Sequence, residues 1–212
     1  MPLCDNHPVR DVEPTLVMNV PEEKPPMKRL LIGCCTAVLA ASTFVAAQTP
    51  APKPPPKSPP ATATATIAGK TISIAYSSPR VNGRGDHIFA KDGLIGQDPS
   101  YPIWRAGANA ATVLHTDADL TIGTLDVPKG EYSLWVNISD ANHWVLVVNK
   151  QFGQWGRTYD AAKNLGTTPM DTKTTPALVE DLKYTITDLG GGKGTITLAW
   201  ENKSASVSFM AK

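Results

Sequence analysis

The densest chemistry in the chain lies in Trp104-Arg105-Ala106-Gly107-Ala108-Asn109, where a planar cation and a carboxamide stand around small residues that permit close backbone approach. An anion or a sugar hydroxyl is held by groups of this kind. The same groups also serve loops: Arg105 and Asn109 can hydrogen-bond backbone at a sheet edge while Trp104 fills the core. Arg80 and Arg84 stand beside Pro79 and Gly83 in a second irregular segment, and with Arg105 they would make an anion clamp if the fold brings them together.

Other constellations are thinner. His115, Asp117 and Asp119 are spaced by two, so on an extended strand they share one face, as oxygen and nitrogen ligands of a metal would. The alternative is a strand that ends near Thr116 and a polar turn after it, since Asp is a frequent turn former; no metal site and no cofactor is expected. His87 and His143 stand apart, and the chain has no G-x-S-x-G elbow to support a nucleophilic triad. Gly190-Gly191-Gly192 reads as a turn, without the Lys-Ser/Thr and helix of a phosphate loop. Arg84-Gly85-Asp86 spells an adhesion tripeptide, too short to weigh. Of the large rings, Trp135 has polar strand neighbours (Glu131, Ser133, Asn137), which makes it the expected exposed stacking ring unless a loop or the Pro-rich segment covers it. Trp144 and Trp200 lie among apolar neighbours and read as core.

These residues have to be positioned by a domain that begins well inside the chain. Met27-Lys28-Arg29, the apolar run Leu30 to Val45 and the small residues Val45-Ala46-Ala47 read as a secretory signal over 27–47, with cleavage after Ala47 favoured over an uncleaved anchor. Residues 1–26 carry five acids, a poor leader for such a signal, so Met27 is the expected start of translation. Leu31-Ile32-Gly33-Cys34 loosely matches a lipoprotein box but leaves too short an apolar core before the cut. Residues 48–60 are a Pro-rich linker, either a polyproline II spacer or an inert remnant. The expected localisation is secreted or periplasmic, with no stable membrane insertion after cleavage.

The three cysteines are Cys4, Cys34 and Cys35, so the mature form has none, and thiolate chemistry and Cys-ligated metals are excluded for it. Residues 61–212 are enough for one domain that buries about 70% of its unfolded surface without disulfides. The near-neutral charge, without a Lys/Arg run, argues against a nucleic-acid partner.

From Ala61 onward, period-two alternation is broken by turn residues. Thr62–Ile67 and Thr71–Tyr76 read as a hairpin around Gly69, with Ile72, Ile74 and Tyr76 or their alternates inward. Ala111–Thr116 and Asp119–Val127 follow. Glu131–Ile138 and His143–Asn149 flank a four-residue turn and read as central strands. Leu182–Thr187, Thr195–Glu201 and Ala205–Met210 complete the set, and Tyr159–Asn164 alone invites a helical turn. The fold expected is all-β, an antiparallel two-sheet sandwich or jelly roll, with a closed β-barrel as the alternative.

The segments Tyr76-Ser77-Ser78-Pro79-Arg80-Val81-Asn82-Gly83-Arg84, Ile103-Trp104-Arg105-Ala106-Gly107-Ala108-Asn109 and Gly130-Glu131-Tyr132-Ser133-Leu134 are similar, in order, to a secreted bacterial family, domain of unknown function 2911. Asn149-Lys150 and Gln154-Trp155-Gly156 continue the match. The resemblance implies an all-β fold and no established activity. This chain departs from the family pattern at Ala110, where a glutamate usually follows the asparagine, and in a longer link from Gly85 to Pro102. The leading expectation is a binding domain for a small polar ligand or glycan, with Arg105, Asn109, Trp104, Arg80, Arg84 and Trp135 at the site. Its alternative is a structural or cell-envelope interaction module without a small-molecule ligand, and a metal-assisted hydrolase ranks third.

Overall fold

The computed structural model describes residues 56–212. The readings placed on the leader, the signal segment, Cys34 and the first part of the linker lie outside the described residues. Those described form a sandwich of two antiparallel sheets, neither closed into a barrel, and contain no α-helix.

The first sheet has the order β1 (Pro60–Ile67), β2 (Lys70–Ser77), β4 (Thr112–Thr116), β7 (Gly130–Asn137), β8 (Val145–Asn149) and β9 (Asn164–Pro169); the two-residue β3 (Ile103–Trp104) pairs with β7 beyond the end of β4. The β1–β2 hairpin turns at Ala68 and Gly69, both at positive φ (49° and 75°), the conformation a two-residue hairpin demands. Ile72 and Ile74 are fully buried, as their alternation predicts.

β7 carries Tyr132, Leu134 and Val136 into the main core, and β8 adds Leu146 and Val148. The second sheet is β10 (Asp171–Gly190), β11 (Lys193–Ala211), β5 (Leu120–Ile122) and β6 (Leu125–Val127) in that order. The strand expected over Asp119–Val127 is in fact two, because Gly123, at φ 57°, folds the chain into a tight β5–β6 hairpin. Conversely, the three short strands expected near the C-terminus are pieces of one long β10–β11 hairpin closed by Gly190–Gly192. Its register shifts between Thr174 and Val179 and again before Lys183, and Glu201, at φ 56°, marks the irregularity on β11.

Leu182, Tyr184, Ile196, Leu198, Trp200 and Phe209 from this sheet meet the β2–β4–β7–β8 face in one continuous core. An aromatic cluster fills one end. Trp104 stacks on Trp200 (centroids 5.9 Å apart, planes at 21°), and Phe89 presents its edge to both. Trp144 closes the group against Phe89 and Trp104. Edge-on and offset ring contacts add stability beyond the apolar area they bury.

Candidate functional site

A concavity of about 590 Å³ opens beside this aromatic cluster. Four stretches of chain line it: Lys57 and Ser58 ahead of β1, the β2–β3 connection from Pro79 to Asp98, the Trp104–Asn109 segment, and Trp155 with Arg157 in the β8–β9 connection. Trp200 joins them from β11.

The β2–β3 connection has no regular strand, yet backbone bonds from Leu94 to His87 and from Ile95 to Ile88 fold it on itself, and buried Ile88 and Ile95 anchor it. That folding delivers Asp98. One of its oxygens accepts from the Ser100 backbone N–H and hydroxyl (3.1 and 2.8 Å), and the other meets Arg105 Nη2 at 3.0 Å. The side chains of Arg105 and Asp98 are only 18% and 6% exposed, so this pair is largely shielded from water. Burial pushes the Arg105 guanidinium below its ordinary value, Asp98 opposes the shift, and the positive charge of Arg157 adds to it.

Backbone geometry in the Trp104–Asn109 segment is tight. Ala106 and Asn109 both sit in the left-handed region (φ 50° and 60°), which costs a non-glycine residue free energy and persists where surroundings impose it. Here the Ala106 carbonyl accepts from the Tyr184 hydroxyl at 3.0 Å and the Thr112 hydroxyl at 3.1 Å. Burial pushes the Tyr184 phenol up, so it stays a donor. Gly107 leaves no room for a side chain, since a Cβ would stand 2.8 Å from Thr112 Oγ1.

The β8–β9 connection is stitched to this segment by Gly156 N–H donating to the Asn109 carbonyl (3.0 Å) and Ala111 N–H donating to the Gln154 carbonyl (3.1 Å). Gly156 is obligatory. A Cβ there would lie 2.2 Å from Arg105 Cδ and 2.6 Å from the Asn109 oxygen. Ala110, directly after Asn109, is exposed and bridges to Trp155.

Five of the six residues expected at a ligand site, Arg105, Asn109, Trp104, Arg80 and Arg84, line this one concavity. Trp104 is buried in its wall. Asn109 is exposed, with its side-chain amide 3.4 Å from the Ser58 carbonyl. Arg84 donates to the Val81 and Arg80 carbonyls at 3.0 and 2.6 Å, and Arg80 faces Asp181 at 3.1 Å.

Trp135 is a correction. It is fully buried on the outer face of β7, beneath Tyr159 (centroids 4.9 Å), with Ala111 and Val147 around it. Its polar neighbour Ser133 is there to accept the indole N–H at 2.8 Å, and the ring takes no part in the concavity. The exposed tryptophan is Trp155, at 57%. In the sequence Trp155 carries only its place in the Gln154-Trp155-Gly156 match, and Lys57, Asp98 and Arg157 carry no spacing that marks them. His115 and Asp117 pair with each other on the surface, and Asp119 turns to the Lys129 backbone N–H. Among the described residues no three His, Cys, Asp or Glu side chains converge.

Two N–H groups in the walls, Arg105 Nε and Trp200 Nε1, are buried without a partner among the described residues. Each such orphan costs on the order of 1–3 kcal/mol, a penalty that core packing alone does not call for.

The fold and this opening define a β-sandwich domain with a cation-lined concavity at one end. The chain belongs to the family described as Protein of unknown function (DUF2911), whose model matches residues 58–209, nearly all of the sandwich. No curated protein and no solved structure matches the chain.

Proposed function

We propose that this is an exported binding domain, secreted or periplasmic, that holds a small polar ligand or glycan in the concavity between Arg105, Asn109, Arg84 and Trp155. One observation carries the reading: among the described residues that line it, five cationic side chains (Lys57, Arg80, Arg84, Arg105, Arg157) share the space with a single carboxylate, Asp98, already engaged by Arg105. Its volume lies within the roughly 300–1,000 Å³ of small-molecule sites. The left-handed backbone at Ala106 and Asn109 supports the same reading, because strain gathers where a surface serves something besides stability.

Binding is favoured over hydrolysis because no histidine lines the opening among the described residues, and its one carboxylate is committed to an ion pair. Export is supported by the basic, apolar and small-residue succession over 27–47.

The test is a thermal-shift screen of the purified protein against sugars, small anions and divalent metals. A ligand at about 100 times its Kd raises stability by roughly 2.7 kcal/mol, a readable shift. The reading expects a hit that Arg157→Gln weakens without lowering the melting temperature of the free protein. A uniformly flat screen, with Arg105→Ala melting early, would return Arg105 to a purely structural role and point to an interaction module.

A further inference from the structure

The charges around the concavity are not equivalent. Arg80 lies against Asp181 at 3.1 Å and Glu180 at 3.8 Å, and Arg105 is held by Asp98 at 3.0 Å, so both are offset by carboxylates. Arg84 is different. Its Nε and Nη2 donate to backbone carbonyls, which fix the guanidinium without neutralising it. Arg157 and Lys57 make neither an ion pair nor a side-chain hydrogen bond among the described residues.

Arg157 also stands close enough to Arg105 to disfavour its charged form. An anion held by Arg157 relieves that repulsion. The fork of a guanidinium matches the oxygens of a carboxylate or a phosphate better than it matches a halide or a neutral hydroxyl.

The mouth has a different chemistry. Trp155 is 57% exposed, and Leu94, which lines the same opening, is 44% exposed, giving the cationic space an apolar, aromatic component. An exposed indole face takes the flat apolar face of a ring, and Asn109, exposed on the same opening, offers both a donor and an acceptor to hydroxyls.

We infer that the ligand is an acidic sugar-like molecule: a compact oxyanion, phosphate or carboxylate, held by Arg157, Arg84 and Lys57, on a ring that lies against Trp155. This rests on the binding reading above and narrows it to a substrate class. Arg105 acts within it as a positioning residue, since its Asp98 contact and its packing under Gly156 leave it largely enclosed.

Calorimetric titration of the purified protein with glucose 6-phosphate, glucuronate, glucose and inorganic phosphate tests it. At least one acidic sugar is expected to bind about tenfold or more tightly than glucose, a difference of roughly 1.4 kcal/mol. Which acid wins distinguishes phosphate from carboxylate. Arg157→Gln is expected to remove that preference while leaving the melting temperature unchanged, and Trp155→Ala to weaken the acidic sugar but not inorganic phosphate. Glucose binding as well as the acids, or an Arg157→Gln protein that keeps their preference, would overturn the acidic class and leave the small-ligand reading standing. If Trp155→Ala weakens no probe, the ring contact is wrong. If none of the four probes binds and the broad screen is also flat, both readings fail together.

Discussion

The β8–β9 connection serves two neighbouring regions that treat their tryptophans in opposite ways. On the outer face of β7, Trp135 is sealed under Tyr159, and the polar groups near it form a dense network. Ser133 Oγ accepts from Trp135 Nε1 and Gln154 Nε2 and donates to the Gln151 carbonyl. The Asn149 amide donates to the Asp160 carbonyl and Asn164 Oδ1, and Asn164 in turn bonds the Tyr159 hydroxyl. Gln154 Oε1 is the buried atom of this network without a partner among the described residues.

A few residues on, the same connection presents Trp155 to solvent and Arg157 to the concavity, where several guanidiniums share the lining and one indole N–H and one guanidinium N–H lack partners among the described residues. Dense hydrogen-bond networks rigidify the elements they join, whereas strained backbone beside unneutralised cations is kept for another reason. The first region holds the connection in place so that the second can stay open.

The comparison can be broken most severely at Asp98. Asp98→Ala leaves Arg105 buried and unpaired, and a loss of about 3–5 kcal/mol is expected in urea unfolding. Asp98→Asn should recover part of it, because the amide oxygen still accepts a hydrogen bond. Gly156→Ala comes next, since it couples the two regions: its methyl would meet both Arg105 Cδ and the Asn109 carbonyl, for an overpacking cost of about 1–3 kcal/mol. Both should also displace Arg105, so ligand binding falls alongside stability.

Ser133→Ala is the contrasting case. It orphans the Trp135 indole N–H and costs on the order of 1–3 kcal/mol in the same measurement, but ligand affinity should fall less than in Gly156→Ala, because the sealed face reaches the concavity only through the β8–β9 connection. A loss of binding in Ser133→Ala with full stability would invert the assignment of the two regions.

The smallest expected effect lies away from both. The hydrogen bond from His115 is the main reason the Asp117 carboxyl lies below its ordinary value. A depressed carboxylate contributes stability above its unfolded pKa and loses that contribution as pH falls through the folded value. His115→Ala should therefore raise the Asp117 midpoint, read by NMR titration, and leave both the sealed face and the concavity unaltered.

How much of this the chain discloses depends on the kind of signal. The β1–β2 and β7–β8 hairpins are legible because alternation of Ile, Val and Thr states both strand and inward face. β9, Asn164–Pro169, is hidden by its Asn, Gly and Pro, and it forms because β8 offers an open edge. Arg105 and Asn109 are recognisable by type, whereas Asp98 is not, since the β2–β3 connection has no period from which a contact with Arg105 follows.

The two tryptophans show the limit of arguing from neighbours. Polar residues beside Trp135 suggested solvent, but Ser133 is a hydrogen-bond partner for the ring itself, and a polar neighbour signals either. Trp155 carries no strand pattern at all, and its exposure follows from the backbone bonds that pin Gln154 and Gly156 on either side of it.

The most direct test needs no ligand. Of five tryptophans, four are buried and Trp155 is exposed among guanidiniums, so collisional quenching of intrinsic fluorescence reports on that one ring. The account predicts an iodide-to-caesium quenching ratio well above that of free N-acetyltryptophanamide at low ionic strength. That excess should shrink in Arg157→Gln and vanish in Trp155→Phe, and it should fade as added salt shortens the Debye length from about 30 Å at 0.01 M to about 10 Å at 0.1 M. A ratio no higher than that of the free indole, unchanged by Arg157→Gln, would contradict a cationic site beside Trp155.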